Sequence, residues 1–369
     1  MKKAGIITTY FATNFGAMLQ PFALKRTLEG LGLDVEMIRY KQPYIYNTYN
    51  PLYFRAFFRK NIFAAFRNIM NLPSDLKKEK VFRKYLLKHI NPNPGFEKTI
   101  PRDKDFYFFG SDQIWNPKIT NGFDPVYFGD FPTKKGAKRI AYAASAEAIA
   151  YTDLEVDFLK KNLSNFDFIS VREQSLNNNL RKYTGIQNIT TVLDPTLIAN
   201  PNIYNEINHE NPLPGKKFIL FYKIRNCMNF AEEIYRYAQS KGAELLILSS
   251  WFERDIKRFA QIHKHVTYLP AAGVETFLGA MEMAECVFTP SFHGCVFSIL
   301  NHKPFWGLSL RDSWNTRAKD LLNSLDLNER MLNDSAEIQE NLIDYAKVDQ
   351  KLEFLKQQSM NFIKNAIME

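Results

Sequence analysis

The strongest constraint on this chain is a recurring local pattern. A short apolar run ends in polar or charged residues, and a helical pattern often follows. Residues 3–9 form the first such run. A loop over 10–15 leads into a helix over 16–31, where Leu19, Phe22, Ala23 and Leu28 lie on an apolar face and Arg26 on a polar one. Residues 35–40 read as the next strand, so the chain opens with a βαβ unit. Further strands are expected at 105–109, 139–144, 166–171 and 190–193. They deliver Gly110-Ser111-Asp112-Gln113, Ser145, Arg172-Glu173 and Asp194-Pro195 at their carboxyl ends, where open α/β sheets build their sites. Ser175 reads as the cap of a helix over 176–182, and Asp194-Pro195 as a turn.

Residues 200–217 are polar and carry Pro201, Pro212, Pro214 and Gly215, the composition of a linker. A second α/β unit follows, with strands at 218–224, 244–249, 266–269, 286–289 and, last, 305–309. Its helices are expected at 229–241, 274–285 and 316–325. A terminal helix over 349–368 is expected to pack back on the first half. The predicted fold is therefore α/β, with two Rossmann-like domains facing a cleft. Its parts are residues 1–200 with a helical insertion near 52–90, residues 217–345, and a C-terminal helix over 346–369. The arrangement resembles that of GT-B glycosyltransferases. A length of 369 residues suits two domains.

The strand at 286–289 runs into Ser291-Phe292-His293-Gly294-Cys295, with a helix expected over 296–300. Histidine transfers protons near neutral pH, and backbone N–H groups beside Gly294 could hold an anion at a helix start. The alternative is a buried histidine that satisfies a helix end. In the insertion, residues 52–72 place Phe54, Phe58, Ile62, Ala65, Phe66 and Ile69 on one helical stripe, ended by Pro73-Ser74. A helix of this kind covers its own core; peripheral contact with the inner membrane surface is the alternative. A charged helix is expected over 75–89.

The net charge of +9 suits anionic ligands, but no nucleic-acid-binding motif is present. Cys227, Cys286 and Cys295 form no CxxC pair, which argues against a disulfide framework or structural zinc and fits the cytoplasm. No stretch reaches the 18 or so apolar residues of a membrane span, and the run after Lys3 is too short for a signal peptide. No HExxH or DxD spacing suggests a metal site.

Seven strings now combine in order: Asn14-Phe15-Gly16-Ala17-x-Leu19-Gln20, Gly110-Ser111-Asp112-Gln113-x-Trp115-Asn116, Ala141-Tyr142-Ala143-Ala144-Ser145, Ser170-Val171-Arg172-Glu173, Leu193-Asp194-Pro195-Thr196, Ser291-Phe292-His293-Gly294 and Asn315-Thr316-Arg317. This set resembles the polysaccharide pyruvyl transferase family over about residues 3–327. The resemblance implies transfer of a pyruvyl group from phosphoenolpyruvate, with no other cofactor, to a saccharide acceptor of a cell-surface polysaccharide or its lipid-linked precursor. The product would be a pyruvate ketal. It implies His293 as general acid/base, Arg172 as a grip on the donor carboxylate, and Asp112 as a group orienting His293 or a sugar hydroxyl. Asn14, Phe15, Gly16, Ser111, Gln113, Ser145, Ser291, Gly294 and Arg317 would bind substrate. The resemblance places the work in the cytoplasm or at the inner membrane face. The competing readings are a GT-B-type glycosyltransferase using a nucleotide sugar, against which Glu275 and Glu282 lie away from strand ends, and a non-catalytic assembly adaptor.

Overall fold

The computed structural model describes all residues except 54–61, 94, 96–98, 148, 225–226, 250–252, 311–315, 334–337 and 339–340, and the backbone alone of 62–70. The first half holds strands β1 (Lys3–Ile7), β2 (Asp34–Met37), β3 (Phe106–Phe109), β4 (Lys138–Ala144), β5 (Phe168–Val171) and β6 (Thr190–Thr191). Its helices are α1 (Phe15–Gly30), α2 (Pro43–Tyr49), α3 (Ile62–Tyr85), α4 (Pro117–Thr120), α5 (Asp153–Leu163), α6 (Gln174–Thr184) and α7 (Pro195–Ile198). The second half holds β7 (Phe218–Lys223), β8 (Glu244–Ser249), β9 (Val266–Leu269), β10 (Cys286–Thr289), β11 (Phe305–Leu308) and β12 (Met331–Leu332). Its helices are α8 (Ala231–Ser240), α9 (Arg254–Ile262), α10 (Val274–Met283), α11 (Phe292–Leu300) and α12 (Thr316–Ser324), and α13 (Tyr345–Met368) closes the chain.

The halves form two six-stranded sheets, ordered β2-β1-β3-β4-β5-β6 and β12-β11-β10-β7-β8-β9, with parallel neighbours throughout. The expected α/β class with two parallel-sheet units is therefore what the chain builds. Strand order reverses between β1 and β3 and again between β7 and β10, and such reversals open crevices at the carboxyl ends. Strands such as Phe106–Phe109 and Cys286–Thr289 are buried along their whole length, because helices cover both faces of a parallel sheet.

An aromatic stack joins the halves. The ring of Phe15 stacks on Phe277 of α10 at 4.6 Å and on Phe82 of α3 at 5.5 Å, and meets Tyr222 of β7 at 5.5 Å. Helix α13 packs back on the first half as expected: Ser359 Oγ accepts from the Leu193 N–H at 2.9 Å, and the Phe362 ring meets Tyr142 and Phe168.

Several local expectations need correction. Pro73 does not end a helix: α3 runs through it to Tyr85 and continues as a π-helical turn over Leu86–Ile90. Proline removes one N–H donor, and the ladder on either side persists. Residues 51–53 form a turn and loop, not a helix start, while the predicted stripe itself lies outside the described side chains. Ser175 does not cap α6. It lies inside the helix, and Asp320 of α12 accepts from both its N–H at 3.0 Å and its hydroxyl at 2.6 Å. Helix α9 was not expected, and β12 follows the strand expected to be last.

Candidate active site between the two sheets

His293 follows β10 and lies in the first turn of α11. The helix was expected from residue 296 but starts at Phe292, because Ser291 Oγ accepts from the Gly294 N–H at 3.2 Å and caps it earlier. That N–H is consequently engaged within the helix start. Gly294 itself serves close packing: a Cβ there would lie 2.5 Å from Thr289 Oγ1 on β10.

The imidazole crosses from the second half to the first. A Cβ on Gly16 would lie 2.0 Å from His293 Nδ1, so α1 can meet the ring only as glycine. On the other side, His293 Nε2 is 3.8 Å from Asp194 Oδ2. Nε2 is buried and has no hydrogen-bond partner among the described residues.

Asp194 belongs to a buried network at the carboxyl ends of β3 to β6. Arg172 donates from its terminal nitrogens to Asp194 Oδ2 at 2.6 Å and Ser145 Oγ at 2.9 Å, and from Nε to Glu173 Oε1 at 3.0 Å. Ser111 Oγ donates to Asp194 at 2.9 Å, and Ser145 Oγ to Glu173 at 2.7 Å. The Arg172 guanidinium also lies 4.2 Å from the Phe292 ring centroid, a cation–π contact across the two halves. With a side chain only 2% exposed, Arg172 directs its donors to internal partners, and a direct grip on a ligand carboxylate would require one of them to yield.

The loop after β3 brings its groups in by backbone shape. Gly110 has φ +114°, and a Cβ there would lie 2.3 Å from the Tyr142 carbonyl oxygen. Ser111 is fixed by Gln20, whose Oε1 accepts its N–H at 3.1 Å, and by Thr8, which donates to its carbonyl at 2.8 Å. Asp112 is half-buried and accepts from Thr9 Oγ1 at 2.7 Å. Ser145 is turned inward by a bulge in β4, where Ser170 Oγ donates to the Ala141 carbonyl and accepts the Ala143 N–H. Asn14 caps α1, accepting from the Ala17 N–H at 3.2 Å.

Arg317, at the start of α12, is half-buried and lies 2.8 Å from the Gln113 side-chain amide, which accepts from it when its oxygen faces the guanidinium. A cavity of about 550 Å³ opens here, lined in part by Arg172, Asp194, Phe292 and Arg317.

Electrostatics separates the titrating groups. Burial pushes His293 down to about 4; Arg172 and Arg317 push the same way, and Asp194 and Asp112 oppose them. Burial works against ionisation of Asp194, but Arg172, His293 and the bonds from Thr196 outweigh it and hold the carboxyl at about 2. Glu173 is raised by burial, against the pull of Arg172, and its Oε2 is buried with no hydrogen-bond partner among the described residues. The resting site therefore pairs a neutral imidazole with an ionised Asp194.

The sequence-predicted His293, Arg172, Asp112, Ser111, Ser145, Gly16, Gln113 and Arg317 thus meet where the halves join. Phe15 faces the aromatic stack instead, 1% exposed. Trp115 is core, its Nε1 donating to the Tyr127 carbonyl at 3.0 Å. Sequence reasoning missed Asp194 as a site residue: Asp-Pro after a strand does cap α7, but its second oxygen faces Arg172 and His293.

The sequence signature of polysaccharide pyruvyl transferase matches residues 14–313, from the cap of α1 past His293. The chain belongs to the polysaccharide pyruvyl transferase family. Gly16, Ser111, Asp112, Ser145, Arg172, Glu173, Asp194 and His293 fall within the match; Thr8 and Thr9 precede it, and Arg317 lies four positions beyond it. No curated relative matches the chain. Among solved structures, it is similar to UDP-GlcNAc 2-epimerase from Methanocaldococcus jannaschii, with 13% identity, 96% of this chain and 93% of that one covered, and a TM-score of 0.47. The Neisseria meningitidis UDP-GlcNAc 2-epimerase gives 9% identity, coverage of 100% and 95%, and a TM-score of 0.47. An O-GlcNAc transferase mutant of Thermobaculum terrenum gives 11% identity, coverage of 100% and 64%, and a TM-score of 0.42. Among the described residues no helix is long and apolar enough to cross a membrane, and no cluster of His, Cys, Asp and Glu could hold a metal ion.

Proposed function

We propose that this family member transfers the enolpyruvyl-derived group of phosphoenolpyruvate to a saccharide, forming a pyruvate ketal at the junction of the two sheets. The observation that carries this reading is the buried His293 Nε2, without a hydrogen-bond partner among the described residues and 3.8 Å from Asp194, in a chain of this family. The reaction balances as follows. The methylene carbon of the donor gains a proton and becomes a methyl group. Two saccharide hydroxyls form C–O bonds to the central carbon and lose their protons. The bond to phosphate breaks, and phosphate leaves with the second of those protons.

A histidine held near pKa 4 is neutral at pH 7, so its first task is to accept a proton from an attacking hydroxyl. An arriving dianion would raise its basicity and favour the imidazolium, which can return the proton to carbon. In this reading Arg172 is a positioning residue that holds Asp194 against the imidazole. Arg317 takes the direct role toward the donor's negative charge, because it is half-buried at a cavity of about 550 Å³. In this reading Asp112 and Asn14, both half-buried, meet an acceptor hydroxyl.

The test is His293→Ala, followed by phosphate release from phosphoenolpyruvate and by the methyl signal of the ketal. Turnover should disappear while the thermal unfolding midpoint stays close to that of the parent protein. Near-normal turnover would overturn the assignment.

A further inference from the structure

Glu173 occupies the N-cap of α6, yet its side chain makes no capping bond to that helix. Its carboxylate is turned inward instead, where Oε1 accepts from Arg172 Nε at 3.0 Å and from Ser145 Oγ at 2.7 Å. The first N–H groups of a helix have no partner within it, so a cap drawn away into the site leaves the start of α6 to be satisfied from elsewhere. The second half supplies the acceptor. Asp320 Oδ2 on α12 accepts from the Ser175 N–H at 3.0 Å and from the Ser175 hydroxyl at 2.6 Å. The helix dipole also favours a carboxylate at this end of α6.

Arg317 and Asp320 are separated by about one turn of α12 and share a helix face. Both line the cavity of about 550 Å³ beside Arg172 and Asp194, and Ser175 lines it from the first half. Arg317 reaches the first half at the Gln113 side-chain amide, 2.8 Å away when the amide oxygen faces the guanidinium. Helix α12 thus meets the first half in two ways: through the short side chain of Asp320, bound to backbone, and through the long side chain of Arg317. Arginine gives up much rotamer freedom when it is held, so the guanidinium keeps its place only if the helix that carries it does.

We infer that Asp320 is a positioning residue for donor binding: by capping α6 from the opposite half it fixes α12, and with it the reach of Arg317 into the cavity. The inference rests on the reading in which Arg317 meets the donor's negative charge. Its sign sets it apart from plain electrostatics. An acidic side chain beside an anion site repels the ligand, and on charge alone its removal tightens binding. A residue that holds Arg317 in place has the opposite effect, and its removal weakens binding. The same bonds link the two sides of the site, because the start of α6 that Asp320 caps also carries the Glu173 held by Arg172.

Phosphoenolpyruvate is titrated into the full-length parent protein, Asp320→Leu, Asp320→Asn, Ser175→Ala, Arg317→Ala and Arg317→Ala/Asp320→Leu. Asp320→Leu should weaken binding by roughly tenfold, the scale of a lost helix cap. Asp320→Asn keeps an acceptor oxygen and should bind within about twofold of the parent. Ser175→Ala removes one of the two bonds and should weaken binding by about threefold. Without Arg317, Asp320→Leu should change nothing further, because its effect passes through that residue. Equal or tighter binding in Asp320→Leu, a loss in Asp320→Asn as large as in Asp320→Leu, no loss in Ser175→Ala, or the same loss with and without Arg317 would overturn the inference. A second readout needs no donor. The Arg317 Nε–H proton signal in NMR, identified by its disappearance in Arg317→Ala, should shift in Asp320→Leu and stay in place in Asp320→Asn; an unshifted signal in Asp320→Leu would overturn the inference. Failure of phosphoenolpyruvate to bind the parent protein would count against the transfer reaction, and the Arg317 signal would then decide the role of Asp320.

Discussion

Gly16 and His293 come from helices in different halves of the chain, and the hydrogen on the Gly16 Cα occupies space that a methyl group could not share with the imidazole: a Cβ would lie 2.0 Å from Nδ1 and 2.4 Å from Cε1. The glycine therefore sets how closely the histidine approaches the first half, and with it the placement of Nε2 near Asp194.

Gly16→Ala should push the imidazole away or force α1 to shift. Overpacking of this kind costs about 1–3 kcal/mol, and a displacement of about 1 Å at a reacting group costs roughly 100-fold in rate. Turnover should fall by about that factor while urea unfolding shows a moderate loss. Full turnover with unchanged stability would mean that the ring does not depend on this contact.

Arg172 holds two buried carboxylates at once, Glu173 at 3.0 Å and Asp194 at 2.6 Å. Arg172→Leu would leave both without their cation, and breaking a buried ion pair from one side costs about 3–5 kcal/mol. Equilibrium denaturation should show a loss of that order. A loss below about 1 kcal/mol, with phosphoenolpyruvate binding abolished, would instead support a direct grip on the donor.

His293 contributes an acid-sensitive part of the protein's stability. Its folded pKa is about 4 against an ordinary 6.5. The unfolded chain therefore binds more protons between these values, and stability should fall as pH drops from about 6.5 toward 4. Asp194, held near 2 against 3.8, acts in the same direction at lower pH: its contribution is present above about 3.8 and is lost toward 2. His293→Gln should flatten the upper part of this acid limb and leave the lower part. An unchanged profile between pH 6.5 and 4 would contradict a buried neutral imidazole.

The strands were legible because a parallel sheet covered on both faces needs near-continuous apolar runs, and Phe106–Phe109 and Cys286–Thr289 are such runs. The polar groups at their carboxyl ends were legible for the same reason. What remained hidden depends on long-range contacts. Asp-Pro after β6 has local turn chemistry whatever its second carboxylate oxygen does, so the bond from Arg172 to Asp194, 22 residues apart, left no local trace. Gly16 reads locally as a helix-start glycine, and its reason for being glycine is 277 residues away. The start of α11 was placed late because His293 and Gly294 are weak helix formers, although Ser291 signals the cap. Ser175 followed the opposite course: its residue type fits a cap, but the acceptor at the start of α6 comes from Asp320 on the other half.

The most direct measurement of the central claim is calorimetric titration of phosphoenolpyruvate into the parent protein and into Arg317→Ala, with UDP-glucose as the parallel ligand. The account predicts that phosphoenolpyruvate binds the parent protein, that Arg317→Ala weakens it by roughly tenfold or more, and that UDP-glucose gives no heat. Binding of UDP-glucose with no response to phosphoenolpyruvate, or phosphoenolpyruvate affinity unchanged in Arg317→Ala, would contradict it.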